Sequence, residues 1–164
     1  MIKNFTYVLI KLILKFFLKL KFIKINRKKI TFISYPDLAD NSWYLFNYIH
    51  KNRNNLILIW LLNENLSENK KKNLIKINKT NKLLFFKKKS LTGVYHFLSS
   101  RIVFFTHNTY FFSQKNIGPI LVNLWHGMPI KKIGFYRHKK PVNFYFNYII
   151  STSSLYQKIL SKAF

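Results

Sequence analysis

Hydrophobic and polar positions along the chain fall into two regimes that meet near residue 29. In the first, apolar residues run from Phe5 to Ile23 with lysines threaded through them, and the longest lysine-free stretch is the seven residues Asn4 to Ile10. A membrane-spanning helix needs about 20 mostly apolar residues, and an export signal needs an unbroken apolar centre followed by small residues at a cleavage point. This stretch has neither, so the protein is expected not to be exported. At roughly 100° per residue, Lys11, Lys15 and Lys19 step round a helix by about 40° each, with Lys3 and Lys21 about 80° to the other side of Lys11. One face is basic and the rest apolar. The pattern predicts a helix over residues 1–28 lying in the interface of an anionic membrane on its cytoplasmic face, each lysine near the surface contributing up to about 1 kcal/mol. The alternative is a helix packed on its own domain, with lysine tips reaching back to water.

From residue 29 short apolar runs alternate with amphipathic segments. Ile30–Ser34 reads as a strand, followed by a turn through Pro36 to Asp40. Asp40–Lys51 reads as a helix with Asp40, Asn41 or Ser42 as N-cap and Trp43, Phe46, Tyr48 and Ile49 on or near one side. Leu56–Leu62 is nearly continuously apolar, as in strands buried on both faces. Leu74–Ile77 and Leu83–Phe86 read as short strands, Ser90 as the cap of a helix reaching Ser100, and Ile102–Thr106, Leu121–Trp125 and Tyr148–Ile150 as strands. Ser154 and Gln157 fit a capping box opening a last helix, with Leu155, Ile159 and Ala163 at four-residue spacing. This alternation predicts an α/β domain over residues 29–164 with a mostly parallel, doubly wound sheet. Function in such a sheet sits at the carboxyl ends of the strands. Ser34-Tyr35-Pro36-Asp37, Thr106-His107-Asn108 and Trp125-His126-Gly127 are predicted there.

Composition narrows the chemistry. The 164 residues suit one domain, and an apolar share of 49% can supply a core. With 29 Lys plus Arg against 4 Asp plus Glu, the net charge is +25, which points to acidic partners: anionic lipid, nucleic acid or phosphorylated substrates. Lys, Ile, Asn and Phe make up 80 of the 164 residues and share AT-rich codons, so part of that charge reflects coding bias. The nine lysines between Lys70 and Lys89 read as a solvated surface. The absence of cysteine excludes disulfides, thiolate metal sites and a cysteine nucleophile. Four acids in two short stretches, Asp37, Asp40, Glu64 and Glu68, give poor support for a carboxylate pair or a magnesium site. No cofactor and no metal are expected.

What remains for chemistry is concentrated in Asn123 to Gly134. A histidine, His126, leaves an apolar strand directly into a Gly and Pro loop carrying Lys131 and Lys132. Gly127 permits a left-handed backbone or close approach, Pro129 stiffens the loop, and the two lysines can hold phosphate charge. A neutral imidazole there can take the proton of an attacking alcohol. On chemistry alone, a histidine after a strand also reads as a hydrogen-bonded structural residue.

The segment Trp125-His126-Gly127-Met128-Pro129-Ile130-Lys131 resembles the W-H-G-T-P-L-K signature of the CDP-glycerol glycerophosphotransferases, which build teichoic-acid-like and capsule polymers. Trp125, His126, Gly127, Pro129 and Lys131 match by identity, Ile130 in kind, and Gly134 matches a following glycine. Phe32-Ile33-Ser34 with Asp40-Asn41-Ser42-Trp43 resembles the family's first strand and its "D-N" helix start. Leu58-Ile59-Trp60-Leu61 is similar to the second strand, and Tyr148-Ile149-Ile150-Ser151-Thr152-Ser153 to a "D-Y-x-x-S-x-S" strand. Met128, where the family has Thr or Ser, and Asn147, where Asp is common, depart from the pattern.

The resemblance implies the N-terminal, Rossmann-like, acceptor-side domain of a GT-B-type transferase, peripherally bound to the membrane by the basic start. His126 would be the base for an acceptor hydroxyl attacking the β-phosphate of CDP-glycerol and releasing CMP. Trp125, Gly127, Lys131, Lys132, Asn41 and His107 are the candidate substrate- and phosphate-binding residues. The acceptor would be a lipid-linked or polymeric hydroxyl. Family members continue past the "K-A-F" position into a second domain that supplies the donor site, so this chain resembles an N-terminal half expected to be inactive by itself. Two alternatives stay open: transfer of another polyol or sugar phosphate, and a non-catalytic basic domain binding a membrane surface or nucleic acid. The latter has Lys and aromatics interleaved but no nucleic-acid motif of fixed spacing.

Overall fold

A computed structural model describes residues 23–77, 81–110, 118–127, 132–136 and 145–164. The basic start, as far as residue 22, lies outside the described residues, as do Met128, Pro129, Ile130 and Lys131. Six strands, β1 (Asn26–Ile33), β2 (Ile57–Leu62), β3 (Lys82–Lys87), β4 (Ser100–Phe105), β5 (Ile120–Asn123) and β6 (Tyr148–Ile149), form one sheet. Its order is β3-β2-β1-β4-β5-β6, and every adjacent pair is parallel. This is the doubly wound Rossmann order. Because β1 begins at Asn26, residues 26–28 belong to the sheet rather than to the amphipathic segment.

The apolar runs are strands because both their faces are covered. On β2, Ile59 and Leu61 join one core with Ile33, Phe97, Val103, Phe105 and Leu121. The alternate residues Leu58, Trp60 and Leu62 join a second core with Phe32, Phe46 and Leu83. Helix α1 (Asp40–Asn52) packs through Phe46 on the second face, and α3 (Leu91–Leu98) through Phe97 and Leu98 on the first. Tyr48 is exposed rather than packed with its α1 neighbours.

Three local readings are corrected. Leu74–Ile77 is not a strand but the end of helix α2 (Glu68–Ile77), whose first turn closes with a Glu68–Lys71 ion pair of 2.6 Å. Four residues of mixed polarity carry no distinguishing period, and Leu74 packs against the second core from the helix. The N-cap of α1 is Ala39, with no side-chain cap bond, not Asp40, Asn41 or Ser42. The polar side chains expected to cap it are used elsewhere. Ser42 Oγ donates to the Ile33 carbonyl at 3.0 Å, tying the helix to the end of β1, and Asn41 reaches across the sheet edge. The last helix, α4 (Ser154–Ala163), is capped one residue earlier than expected: Ser153 Oγ accepts from the Tyr156 N–H at 3.2 Å.

Candidate active site

In this strand order the crossovers run to opposite sides of β1 and β4, so the carboxyl ends of these two strands flank a crevice. The chain leaves β1 through Ser34 and Tyr35, leaves β4 through Thr106 and His107, and leaves the adjacent β5 through Leu124, Trp125 and His126. Three of the segments singled out in the sequence therefore meet. The Tyr35 ring meets His107 edge-on at 5.9 Å. The imidazoles of His107 and His126 stack face to face, 4.0 Å between centroids and 4° from parallel. Trp125 lies nearly parallel to His126 at 5.1 Å.

The loop that presents His126 is held by side-chain amides. Trp125 has a left-handed backbone, φ 58°, which is uncommon for a residue with a Cβ and persists only where surroundings impose it. Asn123, buried at the end of β5, accepts from the Trp125 N–H through Oδ1 at 2.8 Å. Asn41, at the start of α1, donates through Nδ2 to the Leu124 carbonyl at 3.2 Å and the Trp125 carbonyl at 3.0 Å. Gly127 follows at φ 67°, the left-handed region that glycine occupies without strain. Asn41 thus clamps the His126 loop through its Nδ2.

Beside this loop lies a cleft of about 330 Å³. Asn41, Trp125, Gly127, Ser151, Thr152 and Tyr156 contribute to its walls, with apolar contributions from Leu124, Ile150 and Leu160. None of these described lining side chains carries a charge. The Trp125 indole nitrogen is buried with no hydrogen-bond partner among the described residues. His126 is exposed beside the cleft, while Lys132 is exposed further along the chain. Lys131 lies outside the described residues.

Electrostatics separate the site from the rest of the surface. Burial lowers the His107 pKa, with the neighbouring His126 adding to the effect, Asp40 opposing it and Lys88 reinforcing it. Lys88 is itself lowered by burial and donates to the Asn108 carbonyl at 2.6 Å. Two carboxylates are spent on structure. Asp37 accepts from the Asn63 N–H, the Glu64 N–H and the Asn63 amide at 2.8 to 2.9 Å, joining the loops after β1 and β2. Glu68 pairs with Lys71.

Residues without an assigned role in the sequence also belong here. Asn123 opens the Trp125-His126-Gly127 segment, but its capping bond depends on the loop's turn. Ser151 and Ser153 sit where the "S-x-S" resemblance points: Ser151 Oγ donates to the Ser153 carbonyl at 2.8 Å, and Ser153 caps α4. Asn147 Oδ1 accepts from the Leu121 N–H at 2.8 Å, a bond that an aspartate oxygen could equally accept. Gly134, at φ 51°, packs so closely on α4 that a Cβ would fall 1.9 Å from the Ala163 carbonyl oxygen.

The fold matches solved structures of the wall teichoic acid polymerase TagF. One is a histidine-to-asparagine variant soaked with CDPG, at TM-score 0.66 and 17% identity over 85% of this chain and 36% of that one. Another is TagF without a stated substitution, at TM-score 0.65 and 18% identity over 85% and 36%. The chain therefore spans little more than a third of the length of the structures it matches. No curated protein sequence matches it. The family model of CDP-glycerol:poly(glycerophosphate) glycerophosphotransferases matches residues 14–164, and the chain belongs to that family.

Proposed function

We propose that this chain is the acceptor-side domain of a transferase that moves glycerol phosphate from CDP-glycerol to a hydroxyl of a lipid-linked or polymeric acceptor. The observation that carries the reading is an exposed His126 at the carboxyl edge of a parallel sheet, next to an uncharged, hydroxyl-lined cleft. A polyol terminus fits such a lining, since Ser151, Thr152, Tyr156 and the amides offer donors and acceptors without imposing charge. His126 takes the proton of the acceptor hydroxyl as its oxygen attacks the β-phosphorus. The new O–P bond forms as the bond to the bridging oxygen breaks, and CMP leaves with that oxygen. Lys131 and Lys132 neutralise charge on the transferring phosphoryl group. The nine basic residues among the first 29 support peripheral attachment to an anionic membrane surface.

The reading assigns acceptor binding and the base to the described site, with the donor nucleotide bound outside it. Nuclear magnetic resonance on the 164-residue chain tests this. A short oligo(glycerol phosphate) is expected to shift signals of Trp125, His126 and Tyr156, whereas CDP-glycerol at the same concentration leaves them in place. Shifts with CDP-glycerol and none with the oligomer would overturn the assignment.

A further inference from the structure

His126 does not stand alone. We infer that His107 is a positioning residue for His126: the two imidazoles form a stacked pair that fixes the plane of the base and disfavours a positive charge on both rings at once. The inference rests on the proposed role of His126 for its catalytic meaning, although the pair itself is a property of this chain.

The geometry leaves His107 little freedom. Its Nδ1 lies 3.0 Å from Thr106 Oγ1, and Thr106 is 1% exposed, so the hydroxyl is anchored in the sheet end. The Tyr35 ring presses on it edge-on, from the far side of the crevice between β1 and β4. A ring held in this way is a platform, and His126 lies on it at 4.0 Å and 4°. His126 is exposed, and with Trp125 as its remaining ring neighbour it would sample more rotamers, whose loss on substrate binding costs free energy.

The proton count follows from the same contact. Two imidazolium rings 4 Å apart repel, whereas a neutral imidazole face stabilises one imidazolium above it. Charged groups around His107 are Asp40 at the start of α1, Lys88 after β3 and His126 itself. Asp40 favours a cation while Lys88 and His126 oppose it, and burial opposes it most. His107 therefore stays neutral when His126 accepts the proton of the attacking hydroxyl.

Imidazole resonances of the 164-residue chain provide the test, independent of catalysis. In His107→Ala, the His126 ring protons are expected to lose the ring-current contribution of His107 while keeping that of Trp125, and His107→Phe, which restores a flat ring, is expected to restore a ring-current shift. In His126→Gln, the His107 titration midpoint is expected to rise. Unchanged His126 ring shifts in His107→Ala, or an unchanged His107 midpoint in His126→Gln, would overturn the pair. The amide spectrum shows whether each variant is folded, and His107→Phe keeps the test decisive if His107→Ala is not. In a transfer-competent protein containing this domain, His107→Ala is expected to lower kcat by about tenfold to a hundredfold at unchanged KM, with His107→Phe recovering much of it. No kinetic effect of His107→Ala, with His126→Ala still lowering transfer, would overturn the positioning role of His107, whereas no effect of either substitution would overturn the proposed role of His126 itself.

Discussion

At the scale of single residues, His126 combines exposure with a fixed backbone. Its removal should therefore affect chemistry far more than stability. In a transfer-competent protein containing this domain, His126→Ala is expected to lower transfer by about a hundredfold to ten-thousandfold, the usual contribution of a general base. The same substitution in this chain should alter unfolding free energy by no more than about 0.5 kcal/mol, as for surface changes. A rate assay paired with thermal melting checks both, and a large stability loss with little rate loss would make His126 a structural residue. Lys29 shows the opposite behaviour: a basic residue 5% exposed at the amino end of the sheet. Its Nζ donates to Ser99 Oγ at 2.7 Å and lies 5.1 Å from the Tyr95 ring centroid. Most of the lysines and arginines whose burial is described are exposed, but this one is buried.

At the scale of elements, two joints hold the site together. The first is the Asn41 amide, which spans from α1 to the loop after β5. Asn41→Ala removes two hydrogen bonds to carbonyls and should cost about 1 kcal/mol, lowering the melting temperature by about 2–4 °C. It should also broaden or double the Trp125 and His126 resonances, because the left-handed Trp125 backbone loses the clamp on its carbonyl side. Unaltered Trp125 and His126 signals would show that Asn123 alone holds the turn. The second joint is Gly134 against α4. In Gly134→Ala the added methyl meets the Ala163 carbonyl oxygen at 1.9 Å on a left-handed backbone, so α4 must shift. A loss of about 2 kcal/mol or more is expected, read by chemical denaturation, with Ala163 and Leu160 amides losing hydrogen-exchange protection first. Near-wild-type stability would mean that the turn and helix separate readily.

At the scale of the whole molecule, the pH dependence of stability has an unusual source. Carboxylates, the usual agents of acid unfolding, number four in this chain. The histidines His96 and His107 are both lowered from about 6.5, by burial first; Lys29 adds to the first and His126 to the second. The unfolded chain therefore binds more protons than the native one below about pH 6.5. Stability should be fully present above that pH and decline as pH falls through the lowered folded values. Thermal melts between about pH 7.5 and 5 are expected to show this decline, with His96→Gln removing part of it. A melting temperature independent of pH over that range would contradict the burial of both rings.

Much of this protein is written locally. Leu56–Leu62 shows in its own composition that it is a strand covered on both faces, Ser90 announces α3, and Trp125-His126-Gly127 marks the loop after β5, because period, capping and turn chemistry act over a few neighbouring residues. What the sequence could not show is where polar side chains spend their hydrogen bonds. Asn41 looks like an N-cap, yet its amide bonds carbonyls 83 and 84 positions away; Leu74–Ile77 looks like a strand until Leu74 finds a core to cover from a helix. The strand order likewise has no local trace. Only the placing of β4 between β1 and β5 brings Tyr35, His107 and His126 within ring contact, since side chains from distant segments become neighbours through backbone pairing across the sheet. Most of the elements and the place of the loop after β5 were determined by the sequence alone, while the clamp on that loop and the second imidazole beside His126 were decided by tertiary structure, because only strand pairing brings such distant segments together.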